Sequence, residues 1–107
     1  MPDEVNRPVR VRGRGVVEVP AYGLADAEHL VEKELRRAWP KARVEVLEVA
    51  RARAEGRIVE EFSVTYRITA DVRLPPGPDQ TLPAAAFRLA RGLLEGTRYR
   101  RTEWMKG

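Results

Sequence analysis

The sequence contains no cysteine, a single histidine and few aromatic residues. Without cysteine the chain has no disulfide, no thiol chemistry and no cysteine-ligated metal. No apolar run approaches the length of a membrane span, and no basic-then-apolar signal opens the chain. We therefore expect a soluble, cytoplasmic protein. At 107 residues the chain fits a single domain, residues 1–107, with residues 1–8 as a flexible lead.

Arginine supplies nearly all of the positive charge, with 17 Arg against 3 Lys and a net charge of +4. Residues 21–74 are balanced, so the excess lies in the first predicted strand and in the final third of the chain. A composition rich in arginine, glutamate, valine, alanine and proline is typical of thermophilic proteins that use ion-pair networks, and a GC-rich genome gives a similar bias. This charge balance permits contact with nucleic acid but does not require it.

The longest regular pattern in the sequence lies between Ile58 and Leu74. Apolar residues occupy the even positions except Glu60, and polar residues occupy most of the odd positions, which predicts one long strand with a buried face and an open face. The apolar members are Ile58, Phe62, Val64, Tyr66, Ile68, Ala70, Val72 and Leu74.

Five further elements surround this strand and complete the order βαββαβ. That order predicts an α+β, ferredoxin-like fold, with two helices on one face of a four-stranded antiparallel sheet whose first and third strands are central. The second strand needs a bulge near Val46–Glu48, because its apolar residues change face there. The predicted elements are a strand at 9–19, a helix at 24–39, a strand at 42–53, a hairpin turn at 54–56, a proline loop at 75–80, a helix from the Thr81 N-cap to Glu95, and a final strand at 97–105.

Arginines form the main candidate site. Three alternate along the first strand, and the predicted topology places the arginine-rich last strand beside them on the open face. One interpretation is a surface that binds anions or nucleic acid. The other is a solvated or subunit-facing sheet in which these arginines pair with carboxylates such as Glu18, Glu61, Asp71 and Glu103. The candidate residues are Arg10, Arg12, Arg14, Arg98, Arg100 and Arg101.

The two glycines between those arginines, Gly13 and Gly15, share the core face with the strand's valines. We expect them to admit a closely packed helix or to mark a bulge. Trp39 ends the apolar stripe of the first helix, which predicts a core or interface position. Trp104 lies near the C-terminus, where it is available to cover a neighbouring subunit or to stack on a planar ligand.

Catalytic and metal-binding groups are sparse. His29 has only Glu28 and Glu32 nearby on its helix, which is too few ligands for a metal site, so we expect a partly exposed surface histidine. One interpretation of Glu60 and Glu48 is a pair of inward carboxylates able to do acid–base chemistry, but near a hairpin end we expect them at the sheet margin. No nucleophile–base set and no phosphate-loop spacing is present. We therefore expect no catalysis, no cofactor and no metal.

Part of the chain resembles the dodecins, small flavin-binding proteins of βαββ topology that assemble into hollow dodecamers. The residues that carry the resemblance are 44–49 (VEVLEV), 55–60 (EGRIVE) and 62–68 (FSVTYRI), within a similar region that spans about 16–74. The family's flavin-stacking tryptophan falls at or next to Val46, and its flavin-contacting glutamine falls at Ser63. The resemblance therefore implies the topology and oligomerisation, but no flavin site.

The sequence thus leaves two hypotheses from different classes. The first is a small non-catalytic module that forms a homo-oligomer through its sheet, with a small planar or anionic molecule as a candidate ligand. The alternative is a nucleic-acid-associated protein that uses the arginine-rich open face. No association with a membrane is expected under either hypothesis.

Overall fold

The structure is a computed structural model that describes residues 7–53, 59–74 and 82–106. These ranges contain β1 (Arg7–Ala21), α1 (Leu24–Ala38), β2 (Arg43–Arg53), β3 (Glu60–Leu74), α2 (Leu82–Leu94) and β4 (Glu103–Lys106). The predicted α+β class is confirmed. The predicted turn at 54–56, the loop at 75–80 and the Thr81 N-cap lie outside the described residues. Within those residues, no helix is both long enough and apolar enough to cross a membrane.

One antiparallel sheet joins the strands in the order β2-β3-β1-β4, so β1 and β3 are central as predicted. β1 and β3 pair along their full lengths of 15 residues each. β2 pairs with the other side of β3, and its register shifts between Val46 and Glu48. This shift confirms the predicted bulge, and it keeps Val44, Val46 and Val49 on the same side of the sheet as the buried residues of β3.

Alternation along the strands separates a buried face from an open face. The even residues of β3 from Phe62 to Leu74 are buried together with Val11, Val17 and Val19 of β1. Both helices cover this side: α1 buries Ala27, Val31 and Leu35, and α2 buries Ala86, Ala90 and Leu94. The other side, here called the open face, is built of Arg10, Arg12, Arg14, Val16 and Glu18 of β1, the odd residues 61–73 of β3, Arg43, Glu45, Glu48 and Ala50 of β2, and Glu103 and Met105 of β4.

Gly13 and Gly15 admit aromatic rings, rather than the helix or bulge predicted from the sequence. A Cβ atom built on Gly13 would lie 2.6 Å from the Thr102 side chain and 2.7 Å from the Trp104 ring. A Cβ atom on Gly15 would collide with the phenol of Tyr66, the residue opposite it in β3. The register of β1 with β3 runs through both glycines without a shift. The glycines therefore leave room for side chains of β3 and β4 to lie flat on the sheet.

The final strand is shorter than predicted, because residues 97–102 form turns and only Glu103–Lys106 pairs with β1. Gly96 leaves α2 with a φ of 83°, as its predicted capping role requires. Thr97 Oγ1 then donates to the carbonyl of Leu94 at 2.7 Å, and Thr102 Oγ1 donates to the carbonyl of Tyr99 at 2.7 Å. These local hydrogen bonds fold the segment into turns that compete with strand pairing.

The close contact at Gly15 leads to a stability prediction. We expect Gly15→Ala to destabilise the protein by about 1–3 kcal/mol, because the new methyl group displaces the buried Tyr66 ring. The free energy of unfolding in urea measures this loss.

Gly92→Ala is the matched control, since a Cβ atom at Gly92 would meet nothing within 4 Å. In the helix interior, alanine is favoured over glycine by about 0.5–1 kcal/mol, so this variant should be more stable than the wild type. Equal stabilities for the two variants would contradict the packing described at Gly15.

Candidate functional site

The predicted arginine set is only partly brought together. Arg10, Arg12 and Arg14 are exposed along the open face of β1, as predicted. Arg98 lies on the helix-covered side, where its Nε is 3.2 Å from Glu34 Oε1, so its predicted place on the open face is wrong. The turn at 97–102 explains this, because it removes Arg98 from the strand alternation.

The other two predicted arginines also belong to that turn. Arg101 lines a surface hollow together with Arg14 and Met105, at the edge of the open face where β4 begins. Arg100 is exposed in the same turn, outside β4. Of the three arginines expected from the last strand, one therefore lies beside the arginines of β1.

Carboxylates neutralise part of the open face. Arg10 Nε donates to Asp71 Oδ1 at 3.1 Å, which confirms the ion pairing predicted for Asp71. Arg67 forms a bidentate pair with Glu45, with three donor–acceptor distances of 3.1–3.2 Å. The hydrogen bonds from Arg67 lower the pKa of Glu45, and the nearby charges of Arg43 and Arg12 lower it further. These pairs hold guanidinium groups in fixed positions across the sheet.

Arg43 belongs to the same surface and was not among the residues predicted from the sequence. Thr69 lies opposite Arg12 on one side and opposite Arg43 on the other, so a hydroxyl stands between two arginines. Among the described residues, neither Arg12 nor Arg43 forms an ion pair. Lys41 adds a further cation to a hollow of about 220 Å³ that Arg10, Arg43 and Thr69 also line. Finding this row requires the β2–β3 register, which depends on the bulge.

Charge on the open face is separated along the strands. The half near Arg10 carries six arginines against three carboxylates, and is called the basic half. Its members are Arg10, Arg12, Arg14, Arg43, Arg67 and Arg73, with Glu45, Asp71 and Glu103.

The half near Glu18, called the acidic half, carries Glu18, Glu48 and Glu61. Arg53 is the register partner of Glu61. The two halves therefore have opposite formal charge.

The candidate catalytic groups do not assemble. Glu60 lies at the end of β3 in an ion pair with Arg51, as expected for a residue at the sheet margin. Glu48 is opposite Thr65 on the open face, so these two carboxylates are on different sides of the sheet. His29 is exposed, and the described residues include no group of three or more His, Asp or Glu residues placed to hold a metal ion. Trp104 contacts Trp39 of its own chain, with ring centroids 6.0 Å apart.

A hydrogen-bonded network lies on the helix-covered side and was not foreseen. Tyr66 and Thr102 share a hydrogen bond of 2.6 Å between their hydroxyl oxygens, and the Tyr99 hydroxyl donates to Glu34 Oε1 at 2.6 Å. The rings of Tyr66 and Tyr99 meet edge to face, with centroids 5.4 Å apart. Burial raises the pKa of both tyrosines, and the hydrogen bond to Glu34 raises that of Tyr99 further. Both phenols therefore stay protonated at neutral pH and act as hydrogen-bonding groups.

Comparisons with known proteins gave no match to a family model, to a curated protein or to a solved structure. The resemblance to dodecins thus stays a prediction from the sequence. The candidate surfaces are those that the fold itself provides, namely the open face of the sheet and the side that the two helices cover.

The bidentate pair on the open face gives a pH prediction. Glu45 has a lowered pKa, so its pairing stabilises the folded state above the pKa of the unfolded chain and is lost as pH falls through the folded value. We expect Arg67→Gln to raise the pKa of Glu45 towards its ordinary value, and Arg12→Gln to raise it less. NMR titration of the Glu45 carboxyl carbon measures both shifts. Arg73→Gln removes the same charge further along β3 and should leave this pKa unchanged.

Proposed function

We propose that this protein is a non-catalytic module that self-associates through the open face of its sheet. The observation that supports the proposal is the separation of charge between the basic half and the acidic half. A two-fold rotation about an axis that lies in the interface, perpendicular to the strands, places each basic half over the acidic half of the partner. Closed two-fold pairing of one self-complementary surface is the commonest form of homo-oligomer.

The size of the open face suits such an interface. β1, β2 and β3 have 11–15 residues each, and strand dimensions of ~3.3 Å per residue and ~4.8 Å between strands give an area of roughly 700 Å². A stable pair of proteins buries about 800 Å² on each partner. The sheet is long and narrow, in a molecule with extents of 62 × 22 × 22 Å, so face-to-face pairing uses its largest flat surface.

Charge reversal tests the self-association directly. Glu18→Arg places a cation over the partner's basic half, and Arg12→Glu places a carboxylate over the partner's acidic half. Each variant alone should dimerise ~10-fold more weakly or worse. An equimolar mixture of the two should recover a stable heterodimer, because the reversed ends then face each other. Sedimentation equilibrium at low and high salt measures the masses, and salt should weaken the wild-type dimer.

The control for this experiment is Glu28→Arg, which reverses an exposed charge on α1, away from the open face. It should leave the dimer unchanged. A monomeric wild type across micromolar concentrations would remove the proposal. So would a mixture of the two charge-reversed variants that associates no better than either alone.

A second candidate function is nucleic-acid association through the basic half. The observation in its favour is that Arg12, Arg14 and Arg43 form no ion pair with any described residue. Such arginines suit phosphate contacts, which carry no sequence information. The open face bears no aromatic side chain among its described residues, so stacking of bases is not part of this function.

Retention of a short RNA or DNA at low salt tests this second function. The logarithm of the affinity should fall linearly with the logarithm of the salt concentration, and Arg43→Gln should reduce that slope by about one phosphate contact. Arg91→Gln removes the same charge from α2 and should change neither value. No retention at low salt would exclude this function.

A further inference from the structure

A groove separates the C-terminal half of α1 from α2, on the side of the sheet opposite the open face. One part, called the lower cavity, borders the turn after α2; it has a volume of about 500 Å³, and Ala38, Leu93 and Tyr99 help to line it. The other part, called the upper cavity, borders the end of β3; it has a volume of about 430 Å³ and is lined in part by Trp39 and Leu89. Leu93 lines both cavities, so they lie next to each other along α2. Each volume falls in the range of sites for small molecules.

The wall formed by α2 is apolar although it faces solvent. Leu89 is 47 % exposed and Leu93 is 45 % exposed, whereas α2 buries the much smaller Ala86 and Ala90 against the sheet. Burial of apolar surface stabilises a fold by roughly 25 cal/mol per Å². Because the two leucines stay half exposed while alanines are buried, α2 loses part of this stabilisation. An apolar occupant of the groove would recover that burial.

Gly92 lies between these leucines and has no structural role among the described contacts. A glycine in a helix interior costs about 1 kcal/mol relative to alanine. Gly13 and Gly15 make room for rings and Gly96 adopts a positive φ, but a Cβ atom on Gly92 would meet nothing within 4 Å. The fold therefore accepts alanine at this position. A bare backbone that borders a cavity suits the close approach of a ligand.

Cations border both parts of the groove. Arg37 lines the lower cavity, and Arg88 lines the upper one. Neither of these arginines forms an ion pair with a described residue. The carboxylates of the two cavities are already paired, Glu34 with Arg98 and Asp71 with Arg10. The rim therefore offers unneutralised positive charge beside an apolar wall.

From these observations we propose that the inter-helix groove binds a small amphipathic anion. Its apolar body lies against Leu89, Gly92 and Leu93, and its anionic group contacts Arg37 or Arg88. A second copy of the chain is the weaker occupant, because two such grooves placed together would oppose arginines of the same sign. The groove lies on the side of the sheet opposite the open face. The test of ligand binding is therefore independent of the test of self-association.

Two probes test the site and distinguish a ring from a chain as the apolar body. Anilinonaphthalene sulfonate has a flat apolar body and one anionic group, and decanoate has an acyl chain and a carboxylate. We expect the better probe to bind one site per chain and to quench the emission of Trp39, which lines the groove. Gly92→Leu should weaken binding about tenfold or more, because the new side chain occupies the cavity. Ala84→Leu adds the same side chain to an exposed position of α2 outside the groove, and should leave the affinity unchanged.

Charge variants provide a second measurement that does not depend on filling the groove. Arg37→Gln should weaken both probes by about tenfold, the loss of a charge-assisted contact. Arg36→Gln removes the neighbouring charge, which is paired with Glu32 on α1, and should have no effect. Equal affinities for the wild type and Gly92→Leu would overturn the proposal. Equal losses of probe affinity in Gly92→Leu and Ala84→Leu would also overturn it. So would a change in the oligomeric mass of Gly92→Leu without a change in its affinity for the probes.

Discussion

The antiparallel pairing of β1 with β3 is the constraint on which the rest of the structure depends. It runs through 15 residues of each strand without a shift, and it places Gly15 opposite Tyr66. Because Gly15 has no side chain, the Tyr66 ring lies over β1 and its hydroxyl reaches Thr102. That hydrogen bond fixes the turn before β4, and β4 then pairs with β1 beside Gly13. The absence of a side chain at Gly15 therefore permits the contacts that link the centre of the sheet to its edge strand.

The same alternation that builds the core distributes the charges of the open face. Since successive residues of a strand point to opposite sides, every polar residue between the core positions of β1, β2 and β3 must face the uncovered side. The bulge in β2 matters here because it shifts the alternation after Val46, so that Glu48 and Ala50 face the same side of the sheet as Arg43 and Glu45. β1 itself carries arginines at one end of its open face and Glu18 at the other, and the register brings charges of the same sign from β2 and β3 beside them.

Sequence patterns predicted the parts of this protein in which apolar residues repeat over many positions. The long strand, both helices and the bulge have such repeats, and all of them are present. β4 was predicted too long because residues 97–102 have no repeat, and threonine hydrogen bonds to the backbone decide their conformation. The row of Arg12, Thr69 and Arg43 was missed because it requires pairing between strands that are distant in sequence.

The sequence did not predict the groove between the helices, for a different reason. Leu89 and Leu93 belong to the apolar stripe predicted for α2, together with Ala86, Ala90 and Leu94, and periodicity alone does not tell which of them face the sheet. In the structure the alanines are buried and the two leucines are half exposed. Small residues on the sheet side let α2 lie close to the strands, which turns the leucines towards α1. The burial pattern, rather than the sequence pattern, therefore distinguishes the wall of a groove from the core.

Rigid support of the groove comes from the network beneath it. Tyr99 lines the lower cavity, while its hydroxyl donates to Glu34, its carbonyl accepts from Thr102 and its ring meets that of Tyr66. Arg98, on the same rim, is held by the same glutamate. Because these side chains are already fixed by the fold, a ligand would not pay the entropy of ordering them, which favours affinity. The constraint set at Gly15 thus extends through Tyr66 and Thr102 to the wall of the site proposed for a ligand.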